Sequence, residues 1–189
     1  AAINVWQEAA TLIPANSPNR AIILNNLGSG LHNRYTLTGR IEDLNAFIQA
    51  CEEAVGSTSS DSPTRSLHLN NLGAGLIGRY NLTRQISDLD KAIEILREAV
   101  RITPPDSHER AMYLNNMGAM LRFRYERTGD LITLNEAIGS HNDGITITPS
   151  DSPDRPYWLD GLGASLILRF ARTRDPDDLA AAVAAYEDA

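Results

Sequence analysis

Apolar residues recur along this chain at the spacing of helix faces. One stripe follows the spacing i, i+3, i+7, i+11 and consists of Leu24, Leu27, Leu31 and Tyr35. A second stripe follows after a short polar break and consists of Leu44, Phe47, Ile48, Cys51 and Val55. No segment shows the strict alternation that is typical of a half-buried strand. The pattern therefore predicts an all-α protein.

The same pattern returns with a period of 45 residues. The segment RAIILNNLGSGLHNRY begins at Arg20 and comes back in modified form from Arg65, Arg110 and Arg155. Repetition at such a period is typical of repeat architectures, in which each unit packs on its neighbours. We therefore expect an α-solenoid of about nine helices that forms a single domain. Its predicted units are a half repeat at 1–13 and full repeats at about 14–58, 59–103, 104–148 and 149–189.

Short polar segments predict where the helices begin and end. Ser followed by Pro favours a helix start, and we expect it to open the first helix of a repeat at Ser17-Pro18, Ser62-Pro63 and Ser152-Pro153. The predicted caps of the second helices are Asp43, Asp88, Thr133 and Asp178. The predicted ends of two first helices are Gly39 and Gly129.

The repeat resembles the tetratricopeptide repeat (TPR). The matching residues are Asn71, Leu72, Gly73, Ala92, Ile93, Ala99 and Pro104. The family repeat has about 34 residues. The extra residues here amount to about one and two helical turns, so they lengthen the first helix without rotating its faces. The long form is similar to repeats of fungal multidomain proteins that also carry NACHT, NB-ARC or CHAT domains. The resemblance implies a TPR-like solenoid of antiparallel helix pairs, whose first helices line a concave protein-binding groove.

Two columns of arginine are mirrored by acidic residues across the predicted turns. The first column gives the pairs Glu8–Arg20, Glu53–Arg65, Glu98–Arg110 and Asp143–Arg155. The second gives Arg34–Asp43, Arg79–Asp88 and Arg169–Asp178, with Thr133 opposite Arg124. These residues either hold neighbouring helices together as ion pairs or form an array that binds anions. The first interpretation is favoured because an arginine near a helix N-terminus opposes the helix dipole and needs a carboxylate.

A stripe on the first helices is the candidate binding site. It lies about 125° from the Leu/Tyr core face, at about 100° of rotation per residue. Its candidate ligand-binding residues are Asn25, His32, Asn70, Asn81, Asn115, Arg122, Glu126 and Asp160. An asparagine amide both donates and accepts hydrogen bonds, which suits a peptide backbone. The alternative is a solvated polar stripe without a ligand. The only basic residue in the stripe is Arg122, so the lysine clamp for a terminal carboxylate that the family implies is not expected.

Composition narrows the choice of partner and location. The net charge of -7 argues against a nucleic acid or an anionic membrane as partner. No apolar run approaches the length needed to span a bilayer. The single cysteine, Cys51, cannot form an internal disulfide, and the first residues do not resemble a signal peptide, so we expect a cytoplasmic location. The chain starts without Met and stops abruptly, which indicates a fragment of a longer protein.

The sequence contains no recognisable catalytic or cofactor-binding motif. The four histidines lack the spacing of a metal site, and Cys51 lies at an apolar helix position. We therefore expect no enzyme activity, no metal and no cofactor. The predicted function is protein–protein interaction, as a scaffold or sensor arm that binds a protein or peptide. The alternative is a self-assembly strut that associates through uncapped ends and has no separate ligand.

Overall fold

The protein is built from α-helices that pack in sequence order. The computed structural model describes residues 2–15, 17 and 19–189, and within them there are nine helices and no strand. The helices are α1 (Ala2–Leu12), α2 (Arg20–Thr38), α3 (Ile41–Gly56), α4 (Arg65–Thr83), α5 (Ile86–Ile102), α6 (His108–Thr128), α7 (Leu131–Thr146), α8 (Arg155–Thr173) and α9 (Pro176–Glu187). We call the even-numbered helices A helices and the odd-numbered helices B helices. The predicted all-α architecture is confirmed.

The chain divides into two compact units. Unit 1 is Ala1–Ala99 and unit 2 is Val100–Ala189, so the boundary falls within α5. In unit 1, α1 packs on α2, α2 on α3 and α3 on α4. In unit 2, α6 packs on α7, α7 on α8 and α8 on α9, and α6 also contacts α8.

Each unit has its own hydrophobic core, which the predicted apolar stripes supply. In unit 1, Leu27 and Leu31 of α2 pack with Leu44 and Phe47 of α3 and with Leu76 of α4. The core of unit 2 contains Leu134, Ile138, Leu159, Leu162 and Leu166. A fully buried leucine contributes about 1.5–3 kcal/mol relative to an exposed one, so these stripes fix which face of each helix turns inward.

The A helices begin later than the Ser-Pro signals predict. Helix α4 starts at Arg65 and α8 at Arg155, and Ser62-Pro63 and Ser152-Pro153 lie in the turns before them. Each serine still acts locally, because Ser62 Oγ accepts a hydrogen bond from the Thr64 N–H and Ser152 Oγ accepts one from the Asp154 N–H. At the first signal, Pro18 lies outside the described residues. The serines therefore stabilise a preceding turn, and the α-helix begins at the repeated arginine.

The predicted caps of the B helices are wrong by one turn at three of these helices. Asp175 caps α9 through its side chain, and Asp130 caps α7 in the same way. Asp43 lies inside the first turn of α3, whose N-cap is Arg40. The residues predicted as caps instead face the adjacent A helix, where an arginine side chain donates hydrogen bonds to each of them.

Two kinds of residue end the A helices in the left-handed conformation. Gly39 and Gly129 have φ angles of 70° and 69°, and both are the C-caps that the sequence predicts. Arg84 and Arg174 occupy the same place with φ angles of 58° and 64°. Each of these arginines lies over an aromatic ring of its own helix, Tyr80 at 5.6 Å and Phe170 at 5.8 Å from the ring centroid. This cation–π contact offsets part of the cost of the left-handed backbone, which is about 1 kcal/mol.

Candidate functional site

An arginine in the first turn of each A helix binds the end of the preceding B helix. Nη1 of Arg65 donates to the carbonyls of Val55 and Thr58, both at 2.9 Å. The same two bonds recur at the other three repeats, from Arg20 to Ala10 and Ile13, from Arg110 to Val100 and Thr103, and from Arg155 to Ile145 and Thr148. The guanidinium thus satisfies carbonyls at the negative end of a helix, where a cation is favoured. We call this arrangement the carbonyl clamp.

Two of the four acidic partners predicted for this column are wrong by one repeat. Arg20 pairs with Glu53 rather than Glu8, at 2.9 Å. Arg65 pairs with Glu98 rather than Glu53, also at 2.9 Å. The reason is that the start of an A helix lies beside the ends of two B helices, one supplying carbonyls and the other a carboxylate.

The two remaining predicted pairs involve residues that the structure engages in other ways. Glu98 pairs with Arg65, although the sequence assigns it to Arg110. Arg110 and Arg155 each hold two carbonyls, while Asp143 and Glu8 are exposed. Contacts of this kind within the fold favour the structural interpretation of the column over an anion-binding array.

The second arginine column forms bidentate ion pairs with buried aspartates. Nε and Nη2 of Arg34 bind the two carboxylate oxygens of Asp43 at 2.7 and 2.5 Å. Arg79 and Asp88 make the same contact at 2.9 and 2.7 Å, and Arg169 and Asp178 are also paired, at 2.5 Å. The hydrogen bonds from Arg34 lower the pKa of Asp43. Where Thr133 replaces the aspartate, its hydroxyl accepts a hydrogen bond from Arg124 at 3.0 Å.

In unit 1 the predicted stripe lies on the partly exposed side of α2 and α4. Asn25 and His32 of α2 and Asn70 of α4 are half-buried, and Asn81 is exposed near the end of α4. The Asn71 side-chain amide donates to Asn25 Oδ1 at 2.8 Å, so the second asparagine of one repeat holds the first asparagine of the preceding repeat. Ile22 and Leu67, on the same stripe, are 56% and 42% exposed.

A small pocket opens on this stripe in unit 1, and we call it the His32 pocket. Its volume is about 180 Å³, and it is lined by Ser29, His32, Asn33, Phe47, Asn71 and Ala74. The His32 and Phe47 rings lie 5.0 Å apart, so the wall is aromatic. The Nδ1 atom of His32 is buried without a hydrogen-bond partner. The pocket combines an apolar wall with amide and hydroxyl groups, which is the usual chemistry of a side-chain binding site.

Ser29, His32 and Ala74 lie on the predicted stripe, and the other half of the lining of the His32 pocket could not be predicted from it. Phe47 belongs to α3 and Asn71 belongs to α4. Phe47 is a core position by periodicity, and Asn71 matches a structural position of the TPR pattern. The one available signal was the small side chain of Ala74, beside which there is room for a ligand.

In unit 2, three of the four predicted stripe residues have partners within the protein. Asn115 Oδ1 lies 2.9 Å from Nδ1 of His141, a residue of α7. Arg122 binds Glu126 at 2.7 Å and lies over the Phe123 ring at 4.7 Å. Asp160 of α8 is exposed. Among these four stripe residues, Arg122 and Glu126 thus bind each other, and Asn115 makes a hydrogen bond to a buried residue.

His141 is the most unusual polar residue of the interior of unit 2. It is 1% exposed, and burial, followed by the charge of Arg122, lowers its pKa to about 4. Two glycines make room for its ring, since a Cβ at Gly118 would lie 2.8 Å from His141 Cε1 and a Cβ at Gly161 would lie 2.7 Å from it. The three other full repeats carry an asparagine at the position of Gly161, namely Asn26, Asn71 and Asn116, and the change to glycine here therefore has a steric reason.

The remaining candidate chemistry is limited. Burial raises the pKa of the Cys51 thiol to about 12, which makes it a packing residue rather than a nucleophile. Within the described ranges, no three His, Cys, Asp or Glu side chains are grouped as a metal site would require. Across those same residues, no helix combines the length and apolar character that a membrane crossing demands.

Solved structures with the same arrangement of helices decide the fold class. The crystal structure of MamA matches with a TM-score of 0.64 and 17% identity, over 98% of this chain and 86% of that chain. A Podosopora anserina kinesin light chain with nearly identical TPR-like repeats matches with a TM-score of 0.65 and 15% identity, over 97% of this chain and 84% of that chain. The fold is a TPR-like solenoid. No protein-family model and no curated protein matches the sequence. At 17% and 15% sequence identity, these matches show a shared fold and do not assign a function.

Proposed function

We propose that this chain is a protein-binding module that receives an extended segment of a partner protein on α2 and α4. The His32 pocket carries the proposal, because it lies on the polar stripe and combines an aromatic wall with hydrogen-bonding groups. Ile22 and Leu67 add exposed apolar surface on the same stripe. Buried aromatic or aliphatic anchors beside polar groups supply most of the affinity in protein interfaces. TPR-like folds in general are scaffolds, and we expect no catalysis here.

A peptide selection tests this function. A displayed library of random peptides is selected on the wild-type protein, and the enriched peptides are synthesised and titrated by calorimetry. Ala74→Tyr should fill the His32 pocket and weaken binding by about tenfold or more. Ala164→Tyr, at the same position of the repeat in α8, is the matched control and should bind as the wild type does. Equal affinities for Ala74→Tyr and wild type would exclude the His32 pocket as the site.

We further propose that the module is the sensing or scaffolding arm of a larger cytoplasmic protein of fungal type. The support is the sequence resemblance of its long repeat to arrays beside NACHT, NB-ARC or CHAT domains. The coding sequence on either side of this region tests the proposal. An adjoining nucleotide-binding or caspase-like domain is the expected result, and an unrelated neighbour would contradict it.

A second candidate function is self-association through α9. Leu179, Val183 and Tyr186 follow helical spacing on this helix and are 40%, 47% and 44% exposed. Exposed apolar clusters of this kind mark interaction surfaces. Light scattering over a wide concentration range should then show a mass that rises above 20.7 kDa and returns to it in Val183→Lys. A constant mass would leave partner binding as the function.

A further inference from the structure

A second and larger pocket opens in unit 1 between α1 and α3, the first two B helices. It has a volume of about 480 Å³ and is formed by α1, α2 and α3. Leu24, Leu27 and Leu31 form its floor. We call it the α1–α3 pocket, and it shares no lining residue with the His32 pocket.

The α1–α3 pocket exists because three alanines line its walls. They are Ala10 of α1 and Ala46 and Ala50 of α3. One repeat later, 45 residues on, the same positions carry larger side chains, namely Val55, Lys91 and Ile95. The space is therefore open where the lining residues are alanines, and the next repeat carries larger side chains at the same positions.

The larger side chains of the next repeat show what fits this space. Val55 and Ile95 pack against the hydrophobic core of unit 1. Lys91 extends from α5 to α3, where its Nζ binds Glu52 at 2.5 Å. The complementary group is thus a branched aliphatic side chain, beside which the next repeat places a cation.

The charge around the pocket also favours a cationic neighbour. Helices α1 and α3 contain no Lys, Arg or His, and apart from the buried Asp43 they carry four acidic residues, Glu8, Glu42, Glu52 and Glu53. Glu53 lies on the rim, where it accepts hydrogen bonds from Arg20 at 2.9 Å and from Gln49 at 3.3 Å. Its side chain remains 41% exposed, so a further donor can reach it, whereas Arg20 is 18% exposed and already holds two carbonyls. An anionic ligand would meet the acidic surface of both helices.

We propose that the α1–α3 pocket binds a branched aliphatic side chain of a partner protein that is flanked by basic residues. The aliphatic group occupies the space beside Ala46 and Ala50, and the flanking cation lies near Glu53. This site is independent of the His32 pocket, so a partner can engage both sides of the α2 helix. Area burial at about 25 cal/mol per Å² makes one anchored leucine a weak ligand, and affinity grows with the length of the partner.

Short peptides test the chemistry of the pocket. The probes are three N-acetylated, C-amidated tripeptides, with the sequences Lys-Leu-Lys, Glu-Leu-Glu and Lys-Ser-Lys, titrated into the isotope-labelled protein and followed by amide NMR shifts. The Lys-Leu-Lys peptide should shift amides of α1 and α3 and bind about tenfold more tightly than either of the others. Equal binding of Lys-Ser-Lys would reduce the effect to charge attraction and overturn the proposal. Equal binding of Glu-Leu-Glu would overturn the claim that basic residues flank the aliphatic side chain.

Variants copied from the next repeat locate the binding. Ala50→Ile introduces the residue found one repeat later and should weaken Lys-Leu-Lys binding by about tenfold. Ala46→Leu, at the partly exposed wall, blocks the same space and serves if Ala50→Ile fails to fold by circular dichroism. Ile95→Ala is the matched control and should create a second set of shifts around Val55. Ala74→Tyr should leave tripeptide binding unchanged, which separates this site from the His32 pocket. Unchanged binding in Ala50→Ile and Ala46→Leu would overturn the proposal.

Discussion

Cys51 in unit 1 and His141 in unit 2 occupy the same position of the repeat on α3 and α7, two repeats apart, and each faces a glycine that recurs at one position of the repeat, Gly28 or Gly118. Both residues are almost fully buried, at 2% and 1% exposure. After Cys51, the next A helix carries Asn71, whose amide holds Asn25. After His141, the next A helix carries Gly161 at the corresponding position, directly against the imidazole. The comparison teaches that a repeat varies in coupled sets, because a larger residue on one helix requires a smaller one on another.

The largest expected difference between Cys51 and His141 is in how the free energy of unfolding depends on pH. The pKa of His141 is lowered to about 4, so the unfolded chain binds a proton at mildly acidic pH that the folded chain does not. The free energy of unfolding should therefore fall as the pH decreases from about 6.5 to about 4, by about 3 kcal/mol in total, and level off below that range. Arg122 and Asn115 of α6 are the polar groups that act on the ring, and Arg122 remains charged throughout.

Urea denaturation at several pH values checks this effect in wild type and His141→Leu. The variant copies Leu96 of the preceding repeat, and it keeps every carboxylate that titrates in the same range. The difference between the two proteins therefore isolates the histidine. An identical pH slope in both would show that His141 binds a proton equally in the folded and unfolded states.

Replacing Gly161, one member of this coupled set, should lower the free energy of unfolding by about 2 kcal/mol. Gly161→Asn restores the asparagine of the other repeats but places a Cβ 2.7 Å from His141 Cε1, so the core is overpacked. In the His141→Leu background the cost should fall by about half, because leucine can adjust its rotamer where a rigid ring cannot. Gly139→Asn is the matched control, since nothing lies within 4 Å of a Cβ there. Thermal and urea unfolding of the four proteins measure the coupling, and strictly additive losses would contradict it.

A smaller effect on the free energy of unfolding is expected at a buried ring that has a hydrogen-bond partner in unit 2 and none in unit 1. In unit 2, Trp158 Nε1 donates to Thr148 Oγ1 at 3.1 Å. At the same repeat position in unit 1, His68 is 4% exposed and neither of its ring nitrogens has a hydrogen-bond partner, while burial lowers its pKa. His68→Leu should therefore raise the free energy of unfolding by about 1 kcal/mol at neutral pH, and Trp158→Phe should lower it by a similar amount. Urea denaturation decides the signs, and a destabilised His68→Leu would indicate a partner for the imidazole.

The helices and their buried faces could be predicted because they depend on spacing alone. Four copies of one pattern fix the position of Leu24 and its equivalents, and the pairs of the second arginine column follow from the short turn that separates Arg34 from Asp43. Gly39 and Gly129 end helices for a reason that is local to the backbone. These features each involve one helix or one turn, so the sequence carries enough information.

The features that sequence reasoning missed involve three helices at once. Arg65 contacts the carbonyls of α3 and a carboxylate of α5, and carbonyls leave no mark in a sequence because every residue has one. The His32 pocket likewise takes its lining from α2, α3 and α4. The spacing of His141 from the other histidines speaks only against a metal site, whereas the change to Gly161 in the next repeat indicates the size of its ring.

The carbonyl clamp has a consequence for how such a chain can be shortened or recombined. Cuts at the repeat boundaries drawn from the sequence, near residues 59, 104 and 149, would separate each arginine from the carbonyls it holds, such as Arg65 from Val55. Exchange modules that begin inside a B helix, before its last turn, keep this bond intact. The boundary between the two compact units already follows this rule, since it falls between Ala99 and Val100, just before the carbonyls that Arg110 binds. The module that can be transplanted is therefore the end of one helix pair together with the start of the next.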